Sequence, residues 1–338
     1  MKRIAYMAAL LIPLFSSCAG SSDDPGATSR PGVVDDRPLT HPYDGVTERR
    51  FSMYRHELEG GGYVDYLIKV PADYESQPGR EWPLVLHLHA MGGGDQVEYL
   101  CGLFDMFWDI RRDLDGTDDA FILIPRYFTN DNASELLMDV IASYRVDERR
   151  LYLTGMSMGG SGSFNVANHL YNGHGVSFAA ISRCSGNNLD PDINYEGLAR
   201  NVIWMHVGAE DGTRDGSGQG PVNRSDESYA NLKTALQPHG AVETKSLHVS
   251  PMAATQLGSG GSYDVDGETY DSYTVCLQDR TDWNTGNVVP LYAQVRDLTV
   301  AGKLRVRQSV YYYGCQHDAF APRVENYLAW LFSQRRED

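Results

Sequence analysis

The residues best placed to do chemistry are Gly155-Met156-Ser157-Met158-Gly159. A serine hydroxyl is a weak nucleophile until a neighbouring base takes its proton, and it must stand clear of the backbone to reach a substrate. A turn sharp enough to hold it there crowds the chain on both sides, and the flanking glycines leave room where a Cβ would clash. With 34 Gly in 338 residues, about one chain in four of this length would carry G-x-S-x-G by chance, so context decides. Here the apolar run Leu151-Tyr152-Leu153 leads in and a helix-period segment follows. That strand–turn–helix setting makes Ser157 a candidate nucleophile. His87 and His89 stand two apart, but no third ligand has suitable spacing, so neither a metal nor another cofactor is expected.

The elements that must position Ser157 are legible as two periodicities. Short, nearly continuous apolar runs occur at Leu84–Leu88, Phe121–Ile124, Leu151–Leu153, Phe178–Ile181, Val202–Met205 and Val310–Tyr313. Continuous hydrophobicity means burial on both faces, as in a parallel sheet covered by helices. Tyr63 to Val70 adds a strand rich in Val, Ile and Tyr that stops at Pro71. Between the runs lie helix-period segments. In Ser134 to Tyr144 the apolar Leu137, Val140, Ile141 and Tyr144 share one face; further segments cover 161–171, 225–236 and 323–335. The alternation predicts an α/β doubly wound sheet. Residues 250–305 break the pattern, being rich in Gly, Asp and Tyr with no helix period. They are expected to form a β-rich insertion before the last strand and to serve as a substrate cap with Tyr263, Tyr270, Tyr273, Trp283 and Tyr292 as aromatic contacts.

Tyr144-Arg145-Val146-Asp147, followed by Arg150-Leu151-Tyr152-Leu153-Thr154-Gly155-Met156-Ser157-Met158-Gly159-Gly160, resembles the α/β-hydrolase esterases grouped with polyhydroxybutyrate depolymerases, feruloyl esterases and dienelactone hydrolases. The likeness covers roughly residues 55–245 and 308–335. It implies an α/β-hydrolase fold in which the triad members follow in the order Ser, Asp or Glu, His, each after a strand. Gly314-Cys315-Gln316-His317-Asp318-Ala319-Phe320 is similar to the family's late G-x-x-H-x-x-W loop, with Phe320 where Trp is usual, and makes His317 the general base. His239 and His248 fall in the wrong segment. The family's H-G-x-x-D pattern maps onto Val207-Gly208-Ala209-Glu210-Asp211 and points to Asp211 as the acid; the lengthened loop at 212–220 keeps Asp215 and Asp226 as rivals. The oxyanion hole would take the backbone N–H of Met158 and, from His89-Ala90-Met91-Gly92-Gly93-Gly94, that of Met91; Ala90 replaces the family's usual Gly.

With Asp+Glu 45 against Lys+Arg 29, the net charge of −16 argues against a nucleic-acid partner. Lys2-Arg3 precedes an apolar run to Phe15, too short to span a bilayer and suited to a signal peptide. Phe15-Ser16-Ser17-Cys18 resembles a bacterial lipobox, so residues 1–17 are expected to be removed, Cys18 acylated, and 18–45 left as a Ser/Gly/Pro/Asp-rich tether to a catalytic domain over 46–338. Ser21-Ser22-Asp23-Asp24 is similar to the export signal of surface lipoproteins, which would place the protein on the outer membrane. Cys101, Cys184, Cys276 and Cys315 allow three disulfide pairings or none. Taken with the resemblance, these features predict a serine esterase acting on acetyl or feruloyl esters of extracellular polysaccharide. A prolyl-oligopeptidase-type peptidase shares the core but usually carries a propeller for which this chain has no room. An inactive surface glycan-binding lipoprotein is the reading from another class.

Overall fold

The computed structural model describes residues 33–40, 48–95, 119–212, 220–282, 285–312, 314–317 and 327–337, with only the backbone described for 33–40 and 48–51. Cys18, Cys101, Asp215, Trp283 and 318–326 lie outside them. The first half of the chain runs through strands β1 (Val33–Thr40), β2 (Glu48–Glu57), β3 (Tyr63–Lys69), β4 (Trp82–Leu88), β5 (Phe121–Pro125), helix α1 (Asn130–Ser143), β6 (Val146–Met156), α2 (Met158–His174) and β7 (Ala180–Cys184). It continues through the short α3 (Tyr195–Leu198), β8 (Val202–Gly208), α4 (Pro221–Leu236), β9 (Val242–Val249) and α5 (Pro251–Leu257). The short strands β10 (Tyr263–Val265), β11 (Glu268–Tyr270), β12 (Tyr273–Val275), β13 (Arg280–Thr281) and β14 (Val288–Val289) precede β15 (Tyr292–Val300), β16 (Lys303–Tyr312) and α6 (Tyr327–Ser333).

Among the described residues, twelve strands form one sheet in the order β1-β2-β3-β5-β4-β6-β7-β8-β16-β15-β9-β12. Its centre, β5-β4-β6-β7-β8-β16, is parallel throughout. The apolar runs of these strands are divided between two faces. Leu84, Leu86 and Leu88 of β4 pack with Leu136 and Leu137 of α1, Phe164 and Leu170 of α2, and Leu232 of α4. Val85, between them in sequence, joins Ile122, Ile124, Tyr152 and α6 residues Leu328, Leu331 and Phe332 on the opposite face. Each strand is thus buried on both sides, which is why its sequence reads as continuous rather than alternating. Parallel strands covered by helices on both faces, with β5 folded back between β3 and β4, make the α/β-hydrolase fold. The strand order reverses at β4 and β6, and a binding crevice opens beyond the carboxyl ends of strands at such a switch point.

Two expectations need correction. Val33–Thr40, inside the stretch expected to be tether, forms β1 and pairs antiparallel with β2. The last part of the expected 250–305 insertion belongs to the central sheet: β15 pairs antiparallel with both β16 and β9, and β16 begins at Lys303. Half-buried ion pairs and a buried glutamine hide this from a hydrophobicity reading. Arg307 of β16 donates two bonds to Asp297 of β15, Nε to Oδ1 at 2.8 Å and Nη2 to Oδ2 at 2.7 Å, across a registered pair. Arg296 pairs with Asp226 of α4, and the fully buried Gln308 donates from Nε2 to Ser225 Oγ at 2.8 Å. Charged side chains satisfied in this way can line a half-buried face of a sheet strand without an apolar run.

Candidate active site

β6 ends at Met156 and α2 starts at Met158, leaving Ser157 alone in the turn with φ 57° and ψ −116°. A non-glycine residue with positive φ is strained and persists only where its surroundings hold it. The Ser157 N–H donates to the Cys184 carbonyl at the end of β7 (2.9 Å), and its own carbonyl accepts from Ser161 N–H in α2 (3.0 Å). A Cβ on Gly155 would overlap the Gly159 carbonyl, one on Gly159 the Leu88 carbonyl, and one on Gly160 the Cys184 carbonyl. The glycines therefore let α2 sit hard against the ends of β4 and β7, and that packing holds the elbow bent.

β8 and β16 are adjacent and parallel, so the loops after them leave side by side. A Cβ on Gly208 would overlap the carbonyls of Cys315 and Gln316, so the two loops meet backbone to backbone. Ala209 N–H donates to Tyr311 O at 2.7 Å and Glu210 N–H to Cys315 O at 3.0 Å. Asp211 is fixed next, its N–H donating to Gly208 O and its carbonyl accepting from Val222 N–H in α4, both at 3.1 Å. From this base His317 bridges the remaining gap. Its Nδ1 lies 3.0 Å from both Asp211 carboxylate oxygens, and its Nε2 lies 2.7 Å from Ser157 Oγ. The Asp211 side chain is 7% exposed and that of His317 48%. With Nδ1–H donating to the carboxylate, Nε2 is left as the acceptor for the serine hydroxyl. Such a line can take a proton from Ser157 as its oxygen attacks, and return it to a leaving group.

The rival acids behave differently. Asp226 is ion-paired to Arg296 and accepts from Gln308 Nε2 at 3.1 Å, so its role is in the sheet. Asp215 lies outside the described residues. His239 sits in the turn after α4, and His248 in β9, where burial and then the Arg307 charge lower its pKa to about 4.

Met158 opens α2, and Met91 lies in the loop after β4, where Leu88 at the strand end and His89 beyond it approach Gly159 backbone to backbone. The Met91 side chain is 80% exposed. His89 braces this loop: its Nε2 faces Arg126 O at 2.8 Å and its Nδ1 faces Ala90 O at 2.7 Å. His87 is buried with Nδ1 2.7 Å from Thr154 Oγ1, and burial lowers its pKa to about 3. Both rings are thus engaged within the fold, and among the described residues no group of three His, Cys, Asp or Glu could hold a metal. Cys184 and Cys315 are buried and Cys276 is exposed.

The part of the insertion outside the large sheet strands rises from the carboxyl end of β9, the same edge of the sheet as the elbow. Its tyrosines are not displayed for a ligand. Tyr263, Tyr270 and Tyr292 are buried with Leu247, Val249 and Ala253, and Tyr273 packs against them. Their hydroxyls serve the lobe itself: Tyr263 Oη accepts from Gly260 N–H (2.9 Å) and Tyr273 Oη donates to Gly258 O (2.9 Å). Two charged residues that the motif reading passed over do reach the loop that carries His317. Glu210 Oε1 accepts from Gly314 N–H at 3.1 Å, and Arg280 Nη1 donates to Gly314 O at 3.1 Å. Adjacency to Asp211 was the one signal for Glu210; Arg280 had none.

No family model and no curated protein matches the chain. Solved structures do. A thermostable esterase aligns over 54% of this chain and 51% of its own at 24% identity, TM-score 0.43, so this chain spans about half the length of that protein. A ferulic acid esterase aligns over 55% and 85% at 15% identity, TM-score 0.39. An S-formylglutathione hydrolase from Staphylococcus aureus aligns over 55% and 87% at 10% identity, TM-score 0.39. The strand order is that of the α/β-hydrolase fold independently of these alignments.

Proposed function

We propose that the protein is a serine esterase that hydrolyses carboxylic esters through an acyl-enzyme. The observation that carries this reading is the continuous line from Ser157 Oγ through His317 to the buried Asp211 carboxylate, with contacts of 2.7 and 3.0 Å. Ser157 Oγ attacks the ester carbonyl carbon while Nε2 of His317 takes its proton. Asp211 stabilises the imidazolium that forms. The tetrahedral oxyanion is met by the backbone N–H of Met158, at the positive end of the α2 dipole, and by that of Met91. His317 then gives its proton to the departing alcohol, and water repeats the sequence to release the acid and restore Ser157.

The substrate class in this proposal is acetyl or feruloyl ester on extracellular polysaccharide. It is supported by the likeness of residues 144–160 and 314–320 to esterases of that group and by the export features of the N-terminus. Cys18 carries the lipid that ties the protein to the membrane, and the substrate is met outside the cell. Initial rates of the purified protein and its Ser157→Ala variant on p-nitrophenyl acetate, acetylated and feruloylated xylo-oligosaccharides and a peptide amide test the reaction. Turnover of the esters by wild type alone is expected; amide turnover exceeding ester turnover would refute the reading. For location, mass spectrometry of membrane fractions should find an acylated Cys18. An unmodified N-terminus downstream of it would remove the anchor.

A further inference from the structure

The His317 loop is held from two sides at one residue. Gly314, three positions before His317, has φ 68°, and its peptide groups are engaged by charged side chains of opposite sign. Its N–H donates to the Glu210 carboxylate, on the loop that carries Asp211, and its carbonyl accepts from the Arg280 guanidinium, on the insertion. Arg280 stands on the β13–β14 hairpin, in register with Val289. That hairpin's turn is closed by Asp282 N–H to Asn287 O (2.9 Å) and Gly286 N–H to Asp282 O (2.7 Å). The segment before it is pinned to the sheet: the N–H groups of Cys276 and Leu277 converge on the Val249 carbonyl (3.1 and 3.2 Å), and Asp279 Oδ1 accepts from Met252 N–H (3.0 Å). Leu277 is buried against Tyr311 and Cys315, the residues that bracket Gly314.

From this geometry we infer that the insertion is a positioning element for the catalytic base: Arg280, with Leu277 beneath it, sets the His317 loop through Gly314. This rests on His317 being the general base of the proposed esterase. The tyrosines of the insertion are spent on its own packing, so the effect of the insertion on turnover runs through the base rather than through stacking on substrate. Charge-assisted bonds to the two successive peptide groups that meet at the Gly314 Cα fix the orientation of both, and the next three residues carry that orientation to an imidazole that must meet oxygens on two other loops. Displacing a catalytic group by about 1 Å can cost on the order of a hundredfold in rate. Arg280 is partly exposed, so its removal leaves the core unaltered.

The test compares wild type with Arg280→Ala and Arg280→Lys, using p-nitrophenyl acetate turnover normalised to sites titrated with a phosphonate ester. The expected result is a fall in kcat per titrated site of about tenfold or more for Arg280→Ala, with KM within about twofold. Arg280→Lys should regain part of it, because an ammonium can still donate to the Gly314 carbonyl but lacks the planar fork. Unchanged kcat per site in Arg280→Ala, whether or not fewer sites titrate, would overturn the inference, since a merely structural residue alters the number of good sites and not their rate. A second readout needs no substrate. The downfield proton NMR signal of the His317 Nδ1–H held by Asp211 should broaden or vanish in Arg280→Ala; its full retention would overturn the inference even if the wild-type protein proved not to be an esterase. Absence of ester turnover in wild type with that NMR change present would refute the proposed function and leave the positioning role standing.

Discussion

Replacing Asp211 by Asn separates charge from shape at the acid. The side chain keeps its volume and its place between Gly208 and α4, so the fold should persist, while the negative charge beside His317 is lost. The charge of the imidazolium and that of the carboxylate lie about 4 Å apart, a pair worth about 1 kcal/mol in bulk water and about 4 kcal/mol at the effective dielectric near 20 that suits a partly protected site. Burial decides between these, and Asp211 is 7% exposed on its side chain. The larger value applies, tempered by the half-exposed ring of His317. At about 1.4 kcal/mol per decade, the charge alone accounts for a loss of roughly 10²–10³. A second effect adds to it. An asparagine can turn its NH₂ toward Nδ1, which traps the tautomer carrying hydrogen on Nε2, unable to accept the serine proton; in serine-protease triads the same substitution costs about 10⁴ in kcat. The expected loss is therefore 10³–10⁴ in kcat on p-nitrophenyl acetate at pH 7, with the circular dichroism spectrum unchanged. Asp226→Asn, which breaks the pair with Arg296, should leave kcat within about threefold and lower the thermal midpoint instead. A folded Asp211→Asn enzyme retaining more than a tenth of wild-type kcat would show that the acid is elsewhere.

Ser157→Ala should lose about 10³-fold or more in kcat while keeping the fold, measured by ester turnover and thermal melting; retained turnover would remove Ser157 as nucleophile. Gly159→Ala should be worse for the fold than for any single contact, because its methyl meets the Leu88 backbone, which has no side-chain freedom to yield; a loss of about 3 kcal/mol or more by urea denaturation is expected, and a neutral substitution would show that the elbow is slack. Acid should destabilise the protein through His87. Its folded pKa is about 3 against an ordinary 6.5, so it is neutral in the fold, and below pH 6.5 the unfolded chain takes up the proton. Stability is therefore full above pH 6.5 and falls by about 1.4 kcal/mol per pH unit down to about pH 3, roughly 3 kcal/mol by pH 4.5. His206, buried and also held well below its ordinary value, acts in the same direction. His87→Asn keeps a partner for Thr154 without titrating, so its urea midpoint should fall less between pH 7 and 4.5; an identical fall in both proteins would refute the assignment.

What the sequence revealed, and what it hid, follow from the physics of burial. The parallel strands announced themselves because both their faces are apolar, and the elbow did so because only glycine tolerates the backbone approaches around Ser157. β15 and the start of β16 did not, because the half-buried Arg296, Asp297 and Arg307 and the buried Gln308 satisfy one another on the sheet, and such polar side chains look like surface in a hydrophobicity profile. The tyrosines between 263 and 292 misled for the converse reason: an aromatic with a hydroxyl reads as a ligand platform until its ring is found packed and its oxygen bonded to a local carbonyl or amide. Asp211 and Asp226 differ in the company each keeps. One carboxylate faces an imidazole from a loop 106 residues away, the other a guanidinium on a neighbouring strand.

The long separation of the triad in sequence explains how the sheet can be extended without disturbing it. Ser157 and His317 are 160 residues apart, and the chain between them leaves the core after α4, adds β9 three places beyond β8, and returns through β15 and then β16, which fill the two places between. β16 is therefore zipped on both sides, parallel to β8 from Val306 to Tyr311 and antiparallel to β15 along nearly its whole length. A strand held by two ladders cannot slip by one residue without breaking both and turning every side chain to the wrong face. That fixes where the His317 loop begins, independently of what is built at the far edge on β9 and β12. Beyond Tyr312 the ladder ends, and the loop depends on discrete bonds to Glu210 and Arg280. The sheet thus protects the triad from change in the insertion everywhere except in those last few residues, which is where an addition to the edge can still reach the chemistry.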